Sequence, residues 1–280
     1  MNAPRIIFFG TPELCTTYLD SLTSAGFGPA LIITTPDKPV GRKQVMTPPP
    51  VKVWAIDHGI EFLQPEKLTP EFIAEVASRE KFDLAIVIAY GKILKEALIN
   101  LPAHGTLNVH YSLLPRHRGA SPTEATILAG DEEGGVTIQK MVFELDAGDI
   151  VSQAKIPLEG NEFKDELLGV LTDIGAELLL ETIPPYMNGD ITLEPQATDG
   201  ITMCTKISKE DGRVDPRSDD AHTLWRKYRA YYGWPGIFYM LDEKRVKITE
   251  ASFVDEKFII EKIVIEGETE TDFDERIHLN

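Results

Sequence analysis

The chain has 280 residues and 42% hydrophobic side chains, enough for one large domain of about 150 to 200 residues and a smaller one. Its 45 acidic residues against 28 basic ones give a formal net charge of −17, which excludes broad non-specific attraction to nucleic-acid phosphates, so any RNA contact needs a local basic patch. Cys15 and Cys204 match neither a metal-ligand spacing nor a disulfide framework, no secretory signal opens the chain, and no apolar run approaches the roughly 20 residues that span a bilayer, so the expectation is a metal-free, soluble, cytoplasmic protein.

Arg5 to Gly10 is an apolar run closed by glycine, the pattern of a buried parallel strand. Thr11 and Pro12 then suit the N-cap and first position of a helix. The unit reads as the first βα step of a Rossmann-like sheet, but the glycine-rich dinucleotide fingerprint is missing, which disfavours a nicotinamide enzyme. Ala30 to Thr35 is the second strand, and the proline-rich segment from Pro36 to Pro50 can supply neither a regular helix nor a central strand. That segment carries Lys38, Arg42 and Lys43 against Asp37 alone, a basic loop in an acidic protein. Helices are expected over Val51–His58 and Pro70–Glu80, and a buried strand over Phe82–Ile88 that ends in the turn Ala89-Tyr90-Gly91.

Thr106 to Pro115 is a β-type run with two polar residues where a buried strand should carry none. Asn108 and His110, two apart, project to one face, while Leu107 and Val109 take the other. A satisfied core pair and a pair of groups aimed at a ligand explain them equally well. Beyond it, Ser121-Pro-Thr-Glu124 fits a capping box opening a helix that stops at Gly130. Gly135–Phe143 is the next strand, followed by the turn Leu145-Asp146-Ala-Gly-Asp149 and a strand over Ile150–Ile156 that pairs antiparallel with its predecessor. A helix spans Phe163–Glu181 and breaks at Pro184-Pro185, and residues 190–206 read as a linker. From Ile207 the pattern turns to a short helix over Ala221–Arg229, an aromatic cluster at Tyr231–Trp234 and β-like runs to Ile265, with an acidic, frayed tail over Glu266–Glu275.

Asn108-Val-His110, Ser112-Leu113-Leu114-Pro115, Arg118-Gly-Ala120, Gly135-Val-Thr-Ile138 and Leu145–Asp149 together resemble the folate-dependent formyltransferases, most closely the methionyl-tRNA formyltransferase family. Phe9–Pro12, Pro36–Pro39 with Gly41-Arg42, Ala89–Gly91, Lys206–Glu210 and Gly233–Gly236 extend the resemblance over nearly the whole chain. It implies an α/β protein: a Rossmann-like formyltransferase domain with a mostly parallel sheet over residues 1–189, a linker over 190–206 and a small β-barrel-like domain over 207–280, which departs from the family's pattern in being shortened after Met240. It implies that Asn108, His110 and Asp146 catalyse formyl transfer from 10-formyltetrahydrofolate to the amine of initiator methionyl-tRNA, for translation initiation, by a monomeric enzyme. Amine attack on a formyl carbon puts negative charge on oxygen and positive charge on nitrogen. Imidazole and carboxamide donors suit the first, and a carboxylate that orients the imidazole or draws off the amine proton suits the second.

By the same resemblance Ser112, Leu113, Leu114 and Pro115 border the folate, with Tyr90 and Gly91 near its pterin ring, and Arg42, Lys43, Lys206 and Lys209 contact tRNA. Two rivals stay open. One is an N-formyltransferase for a nucleotide-linked amino sugar, which suits the acidic chain and the abbreviated second domain. The other is a non-catalytic RNA-binding module, which leaves Asn108, His110 and Asp146 without a role.

Overall fold

A computed structural model of the chain describes residues 3–41, 43–79, 81–275 and 279. In chain order the elements are β1 (Ile6–Gly10), α1 (Leu14–Ser24), β2 (Leu31–Ile33), β3 (Lys38–Val40), β4 (Val45–Thr47), α2 (Pro50–Asp57), β5 (Phe62–Leu63), α3 (Pro70–Ala77), β6 (Leu84–Ile88), α4 (Glu96–Ile99) and β7 (Thr106–His110). They continue as β8 (Arg118–Gly119), α5 (Pro122–Ala129), β9 (Glu133–Lys140), β10 (Ile150–Pro157), α6 (Lys164–Asn188), β11 (Met203–Cys204), α7 (Ala221–Ala230), β12 (Ile237–Leu241), β13 (Lys244–Val254), β14 (Lys257–Ile265) and β15 (Thr271–Asp272). Two compact units result: Met1–Arg118, Gly135–Lys155 and Gly169–Thr202 form the first; Gly119–Gly134, Ile156–Leu168 and Met203–Asn280 form the second.

The first unit holds a seven-stranded sheet in the order β10-β9-β7-β6-β1-β2-β5. β1 pairs parallel with β2 and β6, and β6 pairs parallel with β7, whereas β9 lies antiparallel to β7. Every residue of β1, β6 and β7 is buried, as expected where both faces of a parallel sheet are covered. Because successive strands step away from β1 first to one side and then to the other, the order reverses between β1 and β6. Open α/β sheets bind ligands beyond the strand ends at such a reversal. Gly10 is required there because a Cβ would lie 2.5 Å from the Phe8 ring and 3.2 Å from the Ile88 carbonyl of the neighbouring strand.

Several expectations are corrected at this level. Thr11 does not cap a helix: α1 begins at Leu14, and the Thr11 hydroxyl donates across the reversal to the Tyr90 carbonyl at 3.1 Å. The proline-rich segment supplies no helix before Pro50 and no central strand, in line with expectation, and instead forms a separate two-stranded ribbon, β3 with β4, whose Val40, Val45 and Met46 side chains are exposed. The helix expected to break before Pro184 runs on to Asn188 through both prolines. Tertiary anchors hold the turns that lose their N–H donors: Ile183 is fully buried, and the Tyr186 hydroxyl donates to the His104 carbonyl at 2.7 Å.

In the second unit β12, β13, β14 and β15 form an antiparallel sheet in that order. Part of the expected frayed tail is therefore a strand, since β15 pairs with β14 and the Phe273 amide donates to the Glu261 carbonyl. Phe163 packs edge-on against Trp225, Tyr228 and Tyr232, and Arg229 lies buried over the Trp225 ring. The capping box at Ser121 does not close: its hydroxyl donates to the Thr205 carbonyl instead, at 3.0 Å. Among the described residues no helix is long and apolar enough to cross a membrane.

Candidate active site

The antiparallel register of β7 and β9 sets Asn108 opposite Gln139 and His110 opposite Thr137. Four polar side chains thus share one face, and Leu107, Val109 and Ile138 take the apolar face behind them. Asn108 is 9% exposed, and no side-chain hydrogen bond among the described residues engages its carboxamide.

His110 is held at one nitrogen and open at the other. Its Nε2 lies 2.9 Å from the His117 carbonyl oxygen, which can only accept, so Nε2 carries the proton and donates. Burial pushes the imidazole pKa below its ordinary value, with the Asp146 carboxylate and the His117 carbonyl opposing that shift. The ring is therefore neutral at neutral pH and presents a lone pair at Nδ1. That nitrogen faces Asp146 Oδ2 at 3.8 Å, too far for a hydrogen bond. Two acceptors facing each other across this gap attract a proton or an N–H donor into it. His117 is in turn fixed with φ +56°, its amide donating to the Thr202 hydroxyl at 2.8 Å.

Asp146 stands on a left-handed residue, φ +48°, in the turn after β9. The Gln139 side chain donates to Oδ1 of Asp146 at 3.0 Å and accepts from the Gly148 amide at 3.2 Å. The Gln196 amide donates to the backbone carbonyls of Asp146 and Gly148 at 2.8 and 2.7 Å, while its own oxygen accepts from Arg118 Nε and Nη2 at 3.0 and 2.7 Å. The stretch expected to be a mere linker thus supplies two site-forming residues, Gln196 and Thr202. Sequence reasoning missed Gln139, Gln196 and Thr202. Gln139 had a legible signal, a third polar residue on a buried face; nothing local marks Gln196 or Thr202.

The turn after β7 is pinned by Thr137. Its hydroxyl donates to the Ser112 carbonyl at 2.7 Å and accepts from the Leu114 amide at 3.1 Å, and Gln153 donates to the Leu114 carbonyl at 2.9 Å. Ser112 and Leu114 are buried, Leu113 and Pro115 half-buried, with a cis bond between Leu114 and Pro115. The Tyr90 ring is committed to the core, edge-on to Phe9 at 5.4 Å, so this residue offers a ligand its backbone alone. Gly91 is exposed with φ +79°. Lys43 is exposed in the turn of the β3–β4 ribbon, and Arg42 lies outside the described residues. Lys206 and Lys209 are exposed and belong to the second unit. Among the described residues no group of His, Cys, Asp and Glu is arranged to hold a metal ion.

Residues 4–183 match the family model described as formyl transferase, and residues 206–279 match the formyl transferase C-terminal domain. A methionyl-tRNA formyltransferase of Listeria monocytogenes serovar 1/2a is 41% identical over 90% of this chain and 80% of its own. Its namesake in Halorhodospira halophila is 40% identical over 89% and 80%. Among solved structures, an N-formyltransferase from Helicobacter canadensis in complex with folinic acid and dTDP-3-aminofucose superposes with a TM-score of 0.69 at 16% identity, over 94% of this chain and 95% of that one. HypX from Aquifex aeolicus, in complex with tetrahydrofolic acid, gives 0.62 at 19% identity over 98% of this chain and 46% of its own. At those identities the likeness is one of fold.

Proposed function

The chain belongs to the formyl transferase family, and within it to the methionyl-tRNA formyltransferases; from that membership we propose that it moves the formyl group of 10-formyltetrahydrofolate onto the free amine of initiator methionyl-tRNA in the cytoplasm. The observation that carries the reading to individual residues is the opening between His110 Nδ1 and Asp146 Oδ2, beside the uncommitted Asn108 carboxamide.

The folate donor presents an electrophilic formyl carbon. A flat ring with polar edges fits the reversal between β1 and β6, where Gly91 is exposed, and the apolar Leu113, Leu114 and Pro115 offer a rim beside the reacting carbon. As the acceptor amine attacks, negative charge builds on the formyl oxygen, and the Asn108 carboxamide donates to it. The amine nitrogen becomes acidic, and its proton enters the gap between the Nδ1 lone pair and Oδ2. With Nε2 already donating to the His117 carbonyl, protonation at Nδ1 turns that edge of His110 into a donor, able to stabilise the oxygen or to protonate the departing folate nitrogen. The exposed Lys43, Lys206 and Lys209, with Arg42, would position the RNA through its phosphates.

Asp146→Asn and His110→Ala are each expected to lower turnover by about 10²-fold or more, with affinity for a folate analogue within a few-fold of the parent. Steady-state formylation and fluorescence titration of the folate measure the two quantities. Unchanged turnover in both variants would falsify the assigned roles.

A further inference from the structure

We propose that Gln139 and Gln196 are positioning residues that aim the Asp146 carboxylate, Gln139 by holding Oδ1 and Gln196 by holding the turn backbone beneath it. The inference rests on the reading of Asp146 as a proton acceptor and adds how that acceptor is directed.

The polarity of Gln139 is settled by its partners. A carboxylate can only accept and a backbone amide can only donate, so the Gln139 amide must face Asp146 Oδ1 and its carbonyl must face the Gly148 amide. Both ends are spent within one turn, and the side chain is fully buried. A carboxylate tethered at Oδ1 cannot spin about its Cβ–Cγ bond, which leaves Oδ2 as the oxygen turned to His110. Gln196 does for the main chain what Gln139 does for the side chain. Its amide bridges the carbonyls of Asp146 and Gly148, on either side of Ala147, and so holds together a turn that includes the left-handed Asp146. Two donors from Arg118 on the Gln196 oxygen fix which end of that amide faces the turn. Among the described residues, His110 from β7 faces Asp146 directly, Arg118 from β8 reaches its turn through Gln196, and His117 acts on it through His110.

A second carboxylate in place of the Gln139 amide is the informative change. Gln139→Glu keeps the shape and can still accept from the Gly148 amide, but sets an acid against Oδ1, so the two carboxyls share a proton and the pair titrates at higher pH. The expected result is an acid limb of kcat/KM displaced upward by about one pH unit relative to the parent. Gln139→Leu and Gln196→Leu, which remove the tether, are expected to lower kcat by about 10-fold to 100-fold with KM for the folate nearly unchanged, the pattern of a misaimed group. In an Asp146→Asn background either leucine change should cost much less, because nothing remains to be aimed. A residue that merely stabilises the fold would leave the acid limb in place and add its full cost in that background. An unmoved acid limb in Gln139→Glu, or full additivity with Asp146→Asn, overturns the proposal. If Asp146→Asn itself retains full turnover, the underlying reading of the site fails instead, and the two failures are distinguishable.

Discussion

At the scale of single residues, the role proposed for His110 sets the expected pH behaviour. Its folded-state pKa is held below the ordinary 6.5, chiefly by burial, and the proposed mechanism uses the neutral ring, so the acid limb of kcat that belongs to His110 should lie below pH 6.5. The sign for stability runs the same way. The unfolded chain binds this proton more readily, so the contribution is complete above about pH 6.5 and is lost as pH falls through the lower folded value. His110→Gln should flatten that part of a pH-stability curve measured by denaturant titration; a curve unchanged from the parent would contradict the direction of the shift. Asn108 and His110 were legible because polar residues at a two-residue spacing interrupt an apolar strand. Gln196 was not, because its value comes from a fold that carries it back to Asp146 and Gly148, about fifty residues earlier in the chain, and no local pattern encodes that return.

At the scale of elements, the turn between β9 and β10 is the least tolerant part of the site. A Cβ at Gly148 would lie 1.8 Å from the Lys140 carbonyl carbon's oxygen, and Lys140 is also tied to this turn by its amide donating to the Asp149 carbonyl at 2.9 Å. Gly148→Ala is expected to cost about 1 to 3 kcal/mol in unfolding free energy and to lower kcat as well, since the strain falls on the segment that carries Asp146. Parent-like values of both would show that the turn adapts freely. Helix α6 makes a separate case. Tyr186→Phe should cost about 1 kcal/mol by removing the bond to the His104 carbonyl that anchors the turn beyond the two prolines, and calorimetry reads it. The periodicity of that helix was readable up to Glu181, but its continuation depends on buried Ile183 and on this distant carbonyl, and local propensity opposes it. Thr11 and Ser121 show the converse: both occupy good cap positions in sequence, and both spend their hydroxyls on carbonyls from distant segments.

At the scale of the whole molecule, the alternation of apolar runs with helical patterns made the mostly parallel sheet readable, and closely spaced β-like runs made the β-rich character of the second unit readable, whereas its antiparallel strand order is seen only in the structure. The net charge of −17 makes the RNA contact a local affair of a few cations. Lys206→Ala should raise KM for the tRNA without changing kcat, and should flatten the dependence of affinity on salt by roughly the share of one phosphate contact, a slope change of about 0.7 to 0.9. An unchanged salt slope would remove Lys206 from the interface. The acceptor itself is decided by one assay: initial rates of formyl transfer from 10-formyltetrahydrofolate to initiator methionyl-tRNA and, in parallel, to a nucleotide-linked amino sugar. Rapid formylation of the methionyl amine with no reaction at the sugar is the predicted result, and formylation of the sugar alone would contradict it.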